Sequence, residues 1–175
     1  MAVKQIPGKN KSGRNAKRST SHLPDFKAFL KNQQESGKKA PLFYTLMGLE
    51  EMSTQKLREQ VENGLEYRRL ERFQETANLT NQRVADLIQV PHSTLVRRRQ
   101  KGRLDPATSD RLVRVSRIMG QVIELFEGDL EAAHRWLETP NPALDGEAPL
   151  DVLKTDIGGR MVEELILRLE YGVYT

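Results

Sequence analysis

The 175-residue sequence predicts an all-α protein: a helix-turn-helix unit followed by a small helical domain. Apolar residues recur at three- and four-residue spacing along most of the chain, and no segment shows sustained alternation of apolar and polar residues. Helix start and stop signals frame these runs, with Ser53, Thr80, Asp105 and Asp129 ahead of them and Gly37, Asn63-Gly64 and Gly172 behind. Charge is also graded along the chain. Residues 1–40 hold 10 basic and 2 acidic side chains, residues 41–120 hold 14 and 10, and residues 121–175 hold 4 and 12. A net charge of +4 therefore conceals a basic beginning and an acidic end, the pattern of a chain that meets two different partners. The basic parts suit phosphate backbones, and the acidic end does not.

Composition removes several function classes. The chain has no cysteine, hence no disulfide framework, thiolate metal site or Cys nucleophile. The basic N-terminus has no apolar run behind it and does not read as a signal peptide. No stretch approaches the ~18 apolar residues that a bilayer span needs. A cytoplasmic protein with no membrane partner is expected.

Taken in order, residues 1–22 are Lys, Arg, Ser, Asn and Gly with little to bury, and read as a flexible basic arm or a solubilising tail. From Pro24 the pattern turns helical: Phe26, Phe29 and Leu30 share a face that ends near Gly37. Leu42, Phe43, Leu46 and Met47 suggest a docked turn of helix. Ser53 caps a helix carrying Leu57 and Val61, and a helix over about 66–77 presents Tyr67, Leu70 and Phe73. Thr80 caps a short helix with Val84, Leu87 and Ile88 on one face. Gln89-Val90-Pro91 breaks it, and the basic segment His92–Arg103 follows. Asp105-Pro106 starts a helix reaching about Glu127. Asp129 starts another, which contains Trp136 and Leu137 and is ended by Thr139-Pro140-Asn141-Pro142. A turn at Leu150–Leu153 precedes a last helix with Val162, Leu165, Ile166 and Leu169.

The segment 80–103 fits a helix-turn-helix. That motif needs a small residue where its two helices cross, apolar anchors to fix their angle, and a second helix with exposed polar side chains. Ala85 holds the crossing; Val84, Ile88, Val90 and Leu95 are the anchors; five basic residues lie between Arg97 and Arg103. Two positions depart from the usual pattern: Gln89 stands where Gly is common, at a cost of ~1 kcal/mol if the backbone is left-handed, and Arg98 stands where an aliphatic is common. A helical hairpin with a solvated basic face is the alternative. Crowded like charges on one helix are unfavourable unless a polyanion relieves them. Ser93 and Thr94, near the helix N-terminus, are placed to donate to a phosphate or a base edge. The resulting DNA-binding candidates are His92, Ser93, Thr94, Arg97, Arg98, Arg99, Lys101 and Arg103.

From Gly64 onward the sequence resembles the Xre/MbcA/ParS family of antitoxins. The segments that carry the likeness are NGLEYRRLERF, TLVRRRQKGRLDPATSDRLVRV, AHRWLETPNPALDGEAPLDVL and the closing VEELILRLEYGVYT. The resemblance implies a helix-turn-helix that represses the chain's own operon and a C-terminal domain that binds a cognate RES-domain toxin. Such toxins are similar to ADP-ribosyltransferases and use NAD, so NAD belongs to the partner and this chain needs no cofactor. A homodimer within a toxin–antitoxin hetero-oligomer, nucleoid-associated when bound to operator DNA, is the implied assembly. The resemblance also places toxin-binding residues at Glu170, Tyr171, Gly172, Val173, Tyr174 and Thr175. From the residues alone, Tyr174 either folds back on its own domain or anchors in a partner pocket. The carboxylates of residues 121–175 then steer a basic partner face, though most of them read as a solvated surface. The expected division is an arm over 1–22, a helical segment over 23–63, a DNA-binding domain over 64–127 and a toxin-binding domain over 128–175. A stand-alone repressor whose C-terminal domain only dimerises is the alternative.

No enzyme is expected. His22, His92 and His134 lack metal-ligand spacing, and no phosphate loop, nucleophile elbow or HExxH is present. Glu163 and Glu164 are adjacent on a helix and diverge, which does not suit paired acid–base work.

Overall fold

The computed structural model describes residues 24–37 and 40–172. The expected arm over 1–22 lies outside them. The elements are α1 (Phe26–Ser36), α2 (Leu42–Met47), α3 (Thr54–Glu62), α4 (Tyr67–Thr76), α5 (Asn81–Leu87), α6 (His92–Lys101), α7 (Pro106–Leu125), α8 (Leu130–Glu138), a 3-10 turn (Pro142–Leu144), α9 (Pro149–Val152) and α10 (Asp156–Tyr171). Among the described residues the only extended pairing is an isolated antiparallel bridge between Glu66 and Arg103. The all-α expectation holds.

Most of these helices begin where a side chain satisfies an orphan backbone donor. Ser53, Thr80, Asp105 and Asp129 accept from the N–H three residues on, at 3.1–3.3 Å. Each such cap is worth about 1 kcal/mol. Asp25 and Thr155, which the sequence reading passed over, do the same for α1 and α10. Gly172 closes α10 in the left-handed conformation at φ 65°, as its position predicts. The long helix α7 stops at Leu125, two residues short of the expectation, because Phe126, Glu127 and Gly128 turn back onto the carbonyls of Val122, Glu124 and Ile123.

α7 is the axis of the molecule. It packs against α2, α3, α8 and α10, while α2 also packs on α4, α5 on α6, and α9 on both α8 and α10. Leu112, Val115, Ile118, Met119, Val122 and Ile123 along α7 are fully buried. They join Phe73, Leu42, Leu46, Leu87, Leu137 and Val162 in one continuous core. Burying each such side chain contributes roughly 1.5–3 kcal/mol. α3 is the exception. Its Leu57 and Val61 are only half-buried and it contains no fully buried residue.

Two glycines permit backbone contacts that fix the ends of functional helices. Gly64, at φ 78°, lies so close to the chain after α6 that a Cβ there would sit 2.2 Å from the Leu104 carbonyl oxygen. Around it Leu104 N–H donates to Leu65 and Tyr67 N–H to Gly102, tying the end of α6 to the start of α4. At Gly158 a Cβ would sit 1.9 Å from the Val152 carbonyl oxygen, so only glycine lets α10 start against α9.

Candidate nucleic-acid and partner interfaces

α5 and α6 form the two-helix motif, and the turn between them is built from backbone bonds. Val90 N–H donates to the Ala85 carbonyl at 2.9 Å and Gln89 N–H to Asp86 at 3.1 Å. This is the Schellman pattern, which requires a left-handed residue after the cap. Gln89 is that residue, at φ 51°. Its strain is offset from outside the motif: Arg111 on α7 donates to the carbonyls of Ile88 and Gln89 at 3.3 and 3.4 Å. Val84, Ala85, Ile88, Val90 and Leu95 are all buried, so the expected crossing residue and anchors occupy their expected places.

The basic residues of α6 divide into two groups. Leu95 faces the core, and the helix turns Arg98 inward with it. The Arg98 side chain, only 20% exposed, pairs with the Asp105 carboxylate and donates to the Thr108 hydroxyl. Burial pushes the Asp105 carboxyl up, but the Thr108 hydroxyl and backbone N–H and the Arg98 guanidinium outweigh it and hold the group below the usual carboxylate range. Arg98 thus braces the cap of α7 and is not brought to the outer surface. Arg99 pairs with Glu71 of α4 at 2.9 Å, and Arg103 donates to the Gly64 carbonyl at 3.1 Å. The outer face of α6 carries His92, Ser93, Val96, Arg97, Gln100 and Lys101, all exposed, with Thr94 at its half-buried edge. Arg97 and Lys101 have no ion-pair partner among the described residues. Val96, 46% exposed, was not singled out from the sequence, where it reads as one more apolar residue beside Leu95.

The second exposed face lies on α10. Val162, Leu165 and Ile166 are buried, as their spacing predicts. On the opposite side Ile157, Met161, Leu167 and Tyr171 are 75, 39, 51 and 77% exposed. Ile157, Met161 and Leu167 were missed from the sequence. They are apolar residues off the buried stripe of an amphipathic helix, and that surplus was the available signal. Among the expected toxin-binding residues, Glu170, Tyr171 and Gly172 are exposed at the end of α10; Val173, Tyr174 and Thr175 lie outside the described residues.

Acidic side chains of the C-terminal part hold the two faces in a fixed relation. Asp151 pairs with Arg83 of α5 at 2.9 Å, Glu163 with Arg117 at 2.8 Å, and Asp156 with Arg114 at 3.7 Å. Part of the negative charge expected to steer a partner is therefore spent inside the molecule. Lys154 and Arg83 also hold the Asp151 carboxyl below its ordinary range against the opposing effect of its partial burial.

Residues 56–117 match the antitoxin Xre-like helix-turn-helix domain, and residues 121–172 match the antitoxin Xre/MbcA/ParS C-terminal toxin-binding domain. The chain carries both domains of the Xre/MbcA/ParS antitoxins. The first match takes in α4–α6 and most of α3 and α7; the second takes in the end of α7, α8, α9 and α10. The chain is similar to a protein named antitoxin Xre from Yersinia enterocolitica, at 39% identity over 87 residues, covering 49% of this chain and 59% of that one. It is also similar to antitoxin Xre from Photorhabdus laumondii, at 34% over 73 residues (42% and 49%), and from Pseudomonas putida, at 36% over 64 residues (37% and 40%). The chain thus spans about half the length of the curated relatives it matches. Among the described residues no helix is long and apolar enough to cross a membrane.

Proposed function

We propose that the chain is the antitoxin of a type II toxin–antitoxin pair, binding operator DNA through α6 and a protein toxin through residues 128–175. The observation that carries this reading is the presence of two unlike exposed faces on one rigid core. The outer face of α6 offers Arg97 and Lys101 without counter-charges among the described residues, beside the donors Ser93, His92 and Gln100, and such a set suits phosphates and base edges. The α10 face offers uncovered apolar and aromatic side chains, which suit a protein partner. The toxin is of the RES class, using NAD, and the chain contributes no catalytic residue, cofactor or metal of its own. It acts in the bacterial cytoplasm, as a homodimer on a two-fold operator of its own promoter, within a larger toxin–antitoxin assembly and at the nucleoid when DNA-bound. We place the functional division near residue 127, although both parts share one core.

The test uses a promoter fragment from the chain's own operon and a titration at several salt concentrations. Affinity is expected to fall steeply with salt, since each phosphate contact releases counterions. Arg97→Ala is expected to weaken binding roughly tenfold or more with an unchanged melting temperature. Salt-insensitive binding, or full affinity in the variant, would overturn the assignment of α6. Co-expression with the neighbouring toxin gene tests the second half: wild-type protein is expected to restore growth, and failure to form a complex would leave the stand-alone repressor, for which the α10 face is a dimer contact.

A further inference from the structure

Among the described residues, Val96 is the exposed large hydrophobic residue that does not belong to α10. It stands on the outer face of α6, one turn from Ser93 and Gln100 and next to Arg97. Nearly half of its surface stays open to solvent. A β-branched side chain on a solvated helix surface lowers helix propensity relative to Ala, Lys or Glu, and so calls for a contact outside the chain. Val96 also edges a recess of about 390 Å³ between α4, α5 and α6, whose lining includes Glu71 and Glu75. Those carboxylates disfavour a phosphodiester entering from that side, whereas the Ser93–Arg97 side presents a cation and a hydroxyl.

Resting on the DNA-binding reading above, we propose that Val96 is a specificity-determining residue that packs against a thymine 5-methyl group in the major groove. The edges of the bases in that groove present one apolar group, the thymine methyl, among hydrogen-bond donors and acceptors. The neighbours of Val96 supply the complementary chemistry: Arg97 suits the paired acceptors of guanine, and Gln100 the acceptor and donor of adenine. Arg98 and Arg99 are drawn off to Asp105 and Glu71, so α6 reads bases through this narrow set and not through its whole run of arginines.

The experiment selects binding sites for the full-length protein from random duplex DNA, then replaces each thymine of a selected site, one at a time, by deoxyuridine, which lacks only the methyl group. One thymine position per half-site is expected to show about a fourfold loss of affinity, the scale of one buried methyl. Val96→Ala is expected to bind the thymine site more weakly and to show no further loss with deoxyuridine at that position. Ala favours the helix at an exposed site, so the variant should melt with the wild type. Sequence-specific binding indifferent to every methyl, or a deoxyuridine penalty that survives in Val96→Ala, overturns the role of Val96 and leaves the DNA-binding reading standing. Selection that recovers no preferred sequence overturns both.

Discussion

The outer faces of α6 and α10 are exposed by the same core but left incomplete in opposite ways. On α10 most of the charges are already matched: Arg160 pairs with Asp156 and Arg168 with Glu164, each one helical turn apart, and Glu163 with Arg117 of α7. What remains unmet there is apolar surface, at Ile157, Met161, Leu167 and Tyr171. On α6 the apolar side is buried through Leu95, and what remains unmet is the charge of Arg97 and Lys101. A face whose charges are neutralised and whose hydrocarbon is bare complements a protein; a face with bare cations and one aliphatic group complements a nucleic acid. Charge counted per segment does not draw this distinction, because the arginines of α5 and α7 and the carboxylates of α9 and α10 largely serve each other.

The largest expected effect comes from charging the α10 face. Ile157→Asp with Met161→Asp should weaken toxin binding by about 2 kcal/mol, some thirtyfold, as loss of interface anchors does. Both positions are exposed, so melting temperature and DNA affinity should stay near wild type. Calorimetric titration with purified toxin, alongside a DNA titration, reads both. If toxin affinity is unchanged while the protein becomes monomeric and loses the operator, α10 is a dimer contact and the contrast between the faces has been misread.

A second, smaller effect separates the arginines of α6 from one another. Arg98→Ala should lower folding stability by about 1–2 kcal/mol, because it leaves the Asp105 carboxylate and Thr108 short of a charged hydrogen-bond partner. That corresponds to several degrees of melting temperature in a protein of this size. Arg97→Ala should do the reverse, sparing stability and weakening DNA binding. Equal melting temperatures for the two variants would show that the Asp105 contact does not brace α7.

Much of this architecture was legible in the sequence because it is set locally. Ser53, Thr80, Asp105 and Asp129 signal helix starts through their own side chains, and the stripe Val162–Leu165–Ile166 signals the inner face of α10 through spacing alone. The motif turn was legible too, although Gln89 in place of Gly obscured it. Its left-handed geometry is enforced by the Schellman bonds and capped by Arg111, a residue 22 positions away that no local pattern announces. The assignment of the basic residues was not legible for the same reason. Arg97, Arg98 and Arg99 are chemically identical, and only the tertiary positions of Asp105 and Glu71 decide which of them stays free. Val96, Ile157 and Met161 lie off the buried stripes of their helices, and nothing local in the sequence says whether a neighbouring element or solvent covers such a residue.

The smallest expected effect tests the joint between the two parts. His134 on α8 packs its imidazole against the Ala77 backbone at the end of α4, and burial lowers its pKa below the ordinary value of 6.5, opposed by nearby Glu138 and by a hydrogen bond with Ala77. Its Nε2 is buried without a hydrogen-bond partner among the described residues, so protonation there gains no acceptor. The unfolded chain takes up the proton near the ordinary value while the folded chain resists it. Between those two points the unfolded state binds more protons, and stability therefore falls as pH falls. The loss begins near pH 6.5 and levels off once the folded form is protonated as well. Asp105, Asp129 and Asp151 have lowered pKa values, so their contributions are lost only on further acidification, through and below the ordinary carboxylate range. Melting temperature should thus decline in the wild type as pH falls through 6.5, and His134→Gln should flatten the start of that decline while leaving the loss in the carboxylate range in place. If the variant keeps the wild-type slope, His134 titrates alike in both states and the joint between α4 and α8 is not sensitive to its charge.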